Sequence, residues 1–316
     1  LILFFVMFLI YALIYSMPNG YVETKARELA SRPGTGKSAA EWLADLNAQY
    51  GMDKGVVMGY FTWLKSAVTG NFGDSWAWTV PVLTQFQNTI WYSFALGLIS
   101  FILQILIAIP LGISAARKQY SLTDYSSTVI SMVCISIPTF FLATILKLIF
   151  AVKLGWLDIT GMQSRGYHTL SEFGKFLDVA KHFIMPAITL TVVSIGSLMR
   201  YTRTNMLEVL NSDYIRTARA KGVPEKKVIN HHAFRNTLIP LVTTLGGSLP
   251  GLFSGALITE TLFGIRGIGY ASYNSMVQGD IPFTMFYLAF IAILTLLGNL
   301  ISDILYAVVD PRVRLS

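Results

Sequence analysis

The sequence predicts an all-α integral membrane protein with six transmembrane helices. Hydrophobic residues make up 53% of the 316 residues, charged residues make up 13%, and the mean hydropathy is +0.56. Such values are typical of membrane proteins. A helix that crosses a bilayer needs about 20 apolar residues, because the hydrocarbon layer is about 30 Å thick. Five runs meet that length: 88–114, 124–150, 183–205, 237–262 and 282–308.

The opening run, 1–17, predicts the sixth span, although it is slightly short. The chain starts at Leu1 without an initiator Met, and no small-residue cleavage site follows the run, as a secretory signal would require. We therefore expect a first transmembrane helix whose start is missing from the sequence. Residues 18–87 follow and are predicted to form an extracytoplasmic cap region, with a helix around 39–46 and a turn-rich loop at 70–75.

Residues 88–308 contain the other five predicted spans, and residues 309–316 form a short tail. Pro138 lies inside the run 124–150 and should kink that helix, because proline removes a backbone hydrogen bond and clashes with the preceding turn. The fourth span is expected to begin around 182–186, where the apolar run starts.

The net charge of +7 is distributed in a way that argues against a nucleic-acid partner. The segments on one side of the predicted spans contain twelve Lys and Arg in 54 residues, whereas those on the other side contain eleven in 122. Positive residues concentrate on the cytoplasmic side of membrane proteins, so both termini are predicted to be cytoplasmic. Arg200 and Arg203 lie on one face at the inner end of span four and are expected to contact lipid phosphates or another protein.

The most informative segment is the basic loop between spans four and five, residues 206–236. It contains Asp213-Tyr-Ile-Arg-Thr-Ala-Arg-Ala-Lys-Gly-Val-Pro224. Asn211, Ser212 and Asp213 are typical N-cap residues, and Gly222 is typical of the position after a helix end. These signals predict a short helix over 213–221. On their own they also fit an ordinary connection between two membrane spans.

This segment resembles the "EAA" coupling loop of bacterial ABC importer permeases, in which a short helix sits in a groove of an ATPase subunit. Thr217-Ala218-Arg219 stands where many relatives have Glu-Ala-Ala, a form typical of the peptide-importer branch. The resemblance implies contacts with an ATPase for Asp213, Tyr214, Arg216, Ala218, Arg219, Ala220, Lys221 and Gly222.

The resemblance to the oligopeptide and dipeptide permease family extends, in the same order, over nearly the whole chain. It rests on Gly51-Met-Asp53, Trp63-Leu64, Gly70-Asn-Phe-Gly-Asp-Ser75, Pro110-Leu-Gly112, Ser136-Ile-Pro138, Pro186-Ala-Ile-Thr-Leu190, Arg203-Thr-Asn-Met-Leu-Glu-Val-Leu210, His232-Ala-Phe-Arg-Asn236, Thr259-Glu260, Gly267-Ile-Gly269 and Asp310-Pro-Arg312. The chain departs from the family pattern at Gly20, at Lys54-Gly55 and at Arg266. All three departures are predicted to lie on the outer side, where a binding protein would dock.

The resemblance implies the type I ABC importer fold with a cytoplasmic coupling helix, and a chain that forms half of a translocation pore for oligopeptides or dipeptides. The expected partners are a homologous second permease, two cytoplasmic ATPases and an extracytoplasmic substrate-binding protein, in a prokaryotic plasma membrane. ATP and Mg would be bound by the ATPases. This chain itself is expected to bind no cofactor or metal and to have no catalytic residues.

Spans five and six contain the candidate pore or gate residues. Span five has three glycines spaced four residues apart, which allows close helix packing, and a proline that should bend it. Each of the two spans also has one acidic residue, which needs a partner or water because a charge at the bilayer centre costs about 2.5–3.5 kcal/mol on insertion scales. The candidates are Gly247, Pro250, Gly251, Gly255, Glu260 and Asp303. The alternatives are helix packing for the glycines and a structural partner on a neighbouring helix for each acid.

Three other functions compete with that of a peptide permease. A permease of the same kind could carry a nickel chelate, glutathione or an oligosaccharide. An ion-gradient-driven secondary transporter should show inverted repeats and buried ionisable pairs, and neither is evident in the sequence. An intramembrane enzyme would need a nucleophile, a base and an orienting group within the spans, and no such set is recognisable.

Overall fold

The computed structural model describes residues 1–16, 20–32 and 36–309. Every regular element in these ranges is helical, so the predicted all-α class is confirmed. The helices are α1 (Ile2–Tyr15), α2 (Tyr21–Ala30), α3 (Ala39–Tyr50), α4 (Gly55–Val68), α5 (Val82–Arg117), α6 (Leu122–Ser136), α7 (Thr139–Leu146), α8 (Glu172–Leu210), α9 (Asp213–Ala220), α10 (Glu225–Lys227), α11 (Phe234–Ser248), α12 (Leu257–Phe263), α13 (Ile268–Val277) and α14 (Ile281–Val309). Short π-helical or 3₁₀ segments occupy Lys147–Lys153, Tyr167–Thr169, Val228–Ala233 and Leu249–Leu252.

Three single helices in the described ranges are long and apolar enough to cross a membrane, namely α5, α8 and α14. Two more spans arise if each of two bent pairs is counted as one: α6 with α7, bent by 99°, and α11 with α12, bent by 50°. These five correspond to the five full-length apolar runs of the sequence. The helix α1 coincides with the predicted first span and has 14 residues.

Span three is broken where a kink was expected. The helix α6 ends at Ser136, and Ile137 and Pro138 are extended, with ψ angles of 121° and 135°. The residue before a proline avoids the helical conformation, and the proline ring clashes with the turn that precedes it. Both effects act at the same place, so the chain leaves the helix there and starts a new one at Thr139.

Span four begins earlier than predicted, at Glu172 instead of 182–186. The hydroxyl of Ser171 accepts a hydrogen bond from the Gly174 N–H at 3.2 Å, which satisfies one free donor of the first turn. Four of the first ten residues of α8 are charged, so hydropathy alone places the helix start too late. A proline inside the helix, Pro186, does not end it.

The chain divides into two compact units, and the first comprises Leu1–Ile90 and Ala271–Leu296. Its core is rich in aromatic residues and includes Tyr11, Tyr60, Trp63 and Trp76. The hydroxyl of Tyr11 on α1 donates a hydrogen bond of 2.9 Å to the Tyr50 carbonyl at the end of α3. The helix α1 therefore packs with the helices of the predicted cap, and the beginning of α14 contributes Ile281, Met285 and Ala289 to the same core.

The second unit comprises Trp91–Tyr270 and Leu297–Ser316. Its long helix α8 packs against α6, α7 and α11. At the contact between α8 and α6 a Cβ atom on Gly196 would lie 2.5 Å from the Ser131 carbonyl oxygen, so only glycine allows the two backbones to approach this closely. Buried residues of α5, α8 and α11 form one core, and residues around α9 form another.

Candidate functional site

The predicted short helix in the loop between spans four and five is present as α9. Ser212 precedes it with extended backbone angles, φ −71° and ψ 154°. Gly222 follows it in the left-handed region, φ +74°, which glycine adopts without strain. The Val223 N–H donates to the Ala218 carbonyl at 3.2 Å and closes the last turn. The Ser212 hydroxyl does not cap α9, because it donates a hydrogen bond of 2.6 Å to the Val209 carbonyl; a local signal thus determines the end of α9 at Gly222, but not its start.

One side chain, Ile215, anchors α9 to the rest of the unit. It is fully buried in an apolar cluster, and Ala218 packs partly buried against the same cluster. The other buried members of the cluster are Ala116, Met206, Val228, Ile229 and Ala233. An isolated helix of eight residues is unstable in water, and full burial of an isoleucine contributes about 1.5–3 kcal/mol. Burial of Ile215 is therefore the main interaction that keeps α9 folded and in place.

The opposite face of α9 is open. The exposed residues are Asp213, Tyr214, Arg216, Thr217, Arg219, Ala220, Lys221 and Gly222. A Cβ atom added at Gly222 would meet no atom within 4 Å. Of the residues that the family resemblance assigned to an ATPase contact, only Ala218 faces partly inwards. The rest form a low, mixed-charge surface that another protein can approach.

Arg219 is held by an ion pair on the surface of the loop. Its Nη2 and Nε atoms donate to the two carboxylate oxygens of Glu225 at 2.8 and 3.1 Å. This hydrogen bonding lowers the pKa of the Glu225 carboxyl below its ordinary value, so the pair persists at neutral pH. It links the end of α9 to α10 across the turn at Gly222. Arg219 therefore fixes the turn, while Arg216 and Lys221 extend from the exposed face.

A second ion pair, between Arg203 and Asp124, joins α8 to the start of α6. Arg203 Nε and Nη2 donate to the Asp124 carboxylate at 2.5 and 2.8 Å, and the Tyr120 N–H donates to it at 2.9 Å. The Asp124 side chain is only 4% exposed. Arg203 therefore has a partner within the chain, whereas Arg200 is exposed, and contact of either with lipid phosphates or another protein stays a prediction. The sequence could not reveal this pair, because its members lie 79 residues apart.

The pore candidates of span five lie on both sides of a break in the helix. Gly247 belongs to α11, Pro250 and Gly251 to the 3₁₀ turn that follows, and Gly255 to the non-helical segment before α12, with φ +80°. The three glycines therefore do not share one helix face. Added Cβ atoms at Gly247 and Gly251 would meet nothing within 4 Å.

Close packing of the last two spans uses other glycines of the second unit. A Cβ atom at Gly298 of α14 would lie 2.6 Å from Pro250 Cδ, and one at Gly246 would lie 3.3 Å from Ser302 Cα. Gly246 lies one residue before Gly247, the first glycine of the spaced repeat noted in the sequence. Helix packing, which was the alternative for the candidate glycines, is thus carried by their neighbours.

The candidate acid Glu260 is completely buried and fully bonded. Its carboxyl oxygens accept hydrogen bonds from the Ser93 hydroxyl at 2.7 Å, the Ala256 N–H at 2.9 Å and the Tyr270 N–H at 2.8 Å. The Ser93 hydroxyl also accepts from the Ile268 N–H at 2.8 Å. This is the arrangement expected of a structural partner on a neighbouring helix, the alternative that the sequence left open.

The second candidate acid, Asp303, lies exposed on α14 and makes no hydrogen bond or ion pair with another described residue. Its surroundings in this chain assign it no role.

A cavity of about 230 Å³ lies beside the break in span five, within the second unit. Gly251 and Gly255 line it, whereas the other four pore candidates do not. The rest of its lining is Ser93, Gly97, Ser100, Phe101, Gln104, Leu190, Ser194, Ser248, Leu252 and Ala256. Most of these residues were not singled out from the sequence. The available signal was the presence of polar side chains such as Gln104 inside long apolar runs.

Comparison with known proteins gives matches over most of the chain. The family described as "Binding-protein-dependent transport system inner membrane component" matches residues 108–315. The oligopeptide transport system permease protein AppB of Bacillus subtilis is 39% identical over 267 residues, which cover 84% of this chain and 83% of AppB. The dipeptide transport system permease protein DppB of Escherichia coli K12 is 31% identical over 322 residues, covering 97% and 93%. DppB of Alkalihalophilus pseudofirmus is 32% identical over 317 residues, covering 96% and 93%.

A solved structure supports the fold. A chain of the MetNI methionine ABC transporter, in an inward-facing conformation, matches with a TM-score of 0.55 over 72% of this chain and 97% of that chain. The two sequences are 16% identical, so this likeness concerns the fold alone. Together with the family match, it confirms the predicted type I ABC importer fold.

Proposed function

This chain belongs to the family of binding-protein-dependent transport system inner membrane components, and we propose that it forms half of the translocation pore of a peptide importer. Membership makes it an integral inner-membrane transport subunit and not an enzyme. Its relatives AppB and DppB are permeases of oligopeptide and dipeptide transport systems, and AppB is 39% identical to it. Peptides are therefore the substrate class that we assign to this chain, ahead of a nickel chelate, glutathione or an oligosaccharide.

The coupling role rests on the way α9 is held. The helix exposes one face and fixes the other through Ile215, and the Arg219–Glu225 pair secures its far end. A force applied to the exposed face is thus transmitted to α5, α8 and the start of span five, which share the cluster around Ile215. Packed elements move as discrete bodies rather than deforming continuously. The loop has the construction that a lever between a motor and a pore requires.

The proposed assembly contains a homologous second permease, two ATPases and an extracytoplasmic binding protein. The ATPases bind ATP and Mg, and their closure moves α9 and turns the pore from inward-facing to outward-facing. The binding protein then releases peptide into the pore. This arrangement places α9 and both termini in the cytoplasm, as the excess of Lys and Arg on that side supports.

The test is uptake of a labelled tripeptide by proteoliposomes that contain the complex of this chain with its second permease and ATPases, with the binding protein added outside. We expect uptake that needs ATP inside and binding protein outside. Uptake without the ATPases would overturn the proposal, and so would labelling of a cysteine placed at position 216 by a reagent that reaches only the exterior of intact cells. Uptake of an oligosaccharide, and of no peptide, would overturn the substrate class alone.

A further inference from the structure

The cavity beside the broken fifth span has an unusual lining for a space inside a membrane protein. It combines hydroxyl and amide side chains with glycines and the apolar Phe101, Leu190 and Leu252, and it contains no charged group. The backbone at 253–256, which borders it, is not helical. In lipid, a non-helical backbone is tolerated only where it is buried in protein or lines a space filled with water. The cavity at this break therefore offers a few hydrogen-bonding groups within a mostly apolar lining.

Two side chains in the cavity have polar groups that no other described residue satisfies. Among the described residues, neither the amide of Gln104 on α5 nor the hydroxyl of Ser194 on α8 has a hydrogen-bond partner. Unpaired polar groups are costly away from water, so these two groups require water or a hydrogen-bonding solute in the cavity. The free groups of Gln104 and Ser194 are thus available to water or to a passing solute.

We propose that this cavity is the place where the pore contacts the backbone of the transported peptide, through the Gln104 amide and the Ser194 hydroxyl. The inference rests on the proposed function and specifies its substrate contact. A peptide presents an N–H donor and a C=O acceptor at nearly every residue, and a glutamine amide offers the complementary acceptor and donors. Because the lining carries no charge, it recognises what all peptides share and does not select their side chains.

The proposal predicts a selective effect on uptake kinetics. Loss of one hydrogen bond between neutral groups, in Gln104→Leu or in Ser194→Ala, should raise the KM for uptake of Ala-Ala-Ala by about two- to tenfold. The factor should be the same for Ala-Lys-Ala and Ala-Glu-Ala. Matched controls are Gln87→Leu on the same helix as Gln104 and Ser197→Ala on the same helix as Ser194, since both residues are exposed. Both controls should keep the wild-type KM.

A second variant keeps the proposal testable if the first ones reduce the amount of folded protein. Gln104→Glu retains the size of the side chain and adds a charge to the cavity. The ratio of Ala-Lys-Ala to Ala-Glu-Ala uptake, which does not depend on the amount of protein, should then rise above the wild-type ratio. Wild-type import combined with an unchanged KM in both neutral variants and an unchanged ratio in Gln104→Glu would overturn this inference alone. Failure of the wild-type complex to import any of the three peptides would instead refute the proposed function.

Discussion

Truncation of Ile215, the main anchor of α9, is the sharpest test of the coupling role proposed for this helix. Ile215→Ala removes a fully buried side chain, and such substitutions cost about 2–5 kcal/mol. The other tether, the Arg219–Glu225 pair, is about half exposed and contributes about 0.2–1 kcal/mol. The undocked fraction of α9 should therefore rise by about 30- to 4,000-fold, since about 1.4 kcal/mol corresponds to a factor of ten.

Two measurements follow that fraction. The first is trypsin cleavage after Arg216 in membranes opened to the cytoplasmic side, because cleavage follows the population of the open form when opening is fast. The second is the number of peptides imported per ATP hydrolysed, which should fall as α9 detaches from the core. Ile265→Ala is the matched control, since Ile265 is 1% exposed and does not belong to the cluster around Ile215. It should change neither quantity.

Two results would refute this reasoning. If Ile215→Ala is cleaved at the wild-type rate, burial of this side chain does not hold α9 in place. If the variant is cleaved faster and still imports the wild-type number of peptides per ATP, a rigidly docked α9 is not needed for coupling.

Three further substitutions test other parts of the structure. Gly222→Leu should abolish uptake while leaving the protein in the membrane, because leucine is strained at φ +74° by about 1–2 kcal/mol and adds bulk to the exposed face of α9. The control is Gly155→Leu, with φ +63° and equally open surroundings, and this variant should import normally. Retained peptide-stimulated ATP hydrolysis in Gly222→Leu would contradict the docking role. Asp124→Asn should destabilise the protein by about 3–5 kcal/mol, seen as a lower Tm in detergent. The double variant Asp124→Leu, Arg203→Met should recover most of the lost stability. An unchanged Tm in Asp124→Asn would show that the ion pair contributes nothing to stability. Glu260→Gln should lower the Tm, because the NH₂ group of the glutamine would face a backbone N–H donor at a cost of about 1–3 kcal/mol. Import per folded complex should stay constant in this variant. A change in import would indicate a role of Glu260 in gating.

The sequence predicted those features of the fold that depend on local composition. Apolar runs located the spans, since hydropathy is a property of neighbouring residues. Residue types that favour N-cap positions, together with a glycine, located α9, although the Ser212 side chain makes no capping bond. The 99° break at Pro138 was predicted only as a kink, because the angle depends on how α6 and α7 pack and not on the proline alone. The start of α8 at Glu172 was missed, although Ser171 is a recognisable cap, because charged residues interrupt the sequence between it and the apolar run.

The candidate site was predictable where function depends on exposed residues and less so where it depends on pairing. The exposed face of α9 follows from a motif of contiguous residues. The burial of Ile215 depends on Ala116, about a hundred positions away, and no local pattern announces that contact. Glu260 was recognised as an acid in need of a partner, but the partner Ser93 lies 167 residues earlier. Pairs of residues that lie far apart in the chain are the part of the site that cannot be predicted from a single sequence.

The break in span five and the burial of Glu260 explain one another. A segment that leaves the helix, as 253–256 does, frees backbone groups that lipid cannot satisfy, and the Ala256 N–H at its end is bonded by the Glu260 carboxyl. Conversely, a fully buried acid is tolerated because three donors reach it. Movement of the segment between the break and α12 would disrupt several of these bonds together. We therefore expect any bending of span five during transport to occur at the 3₁₀ turn Leu249–Leu252, where a Cβ atom at Gly251 would meet no other atom. Unchanged import per folded complex in Glu260→Gln would agree with that location.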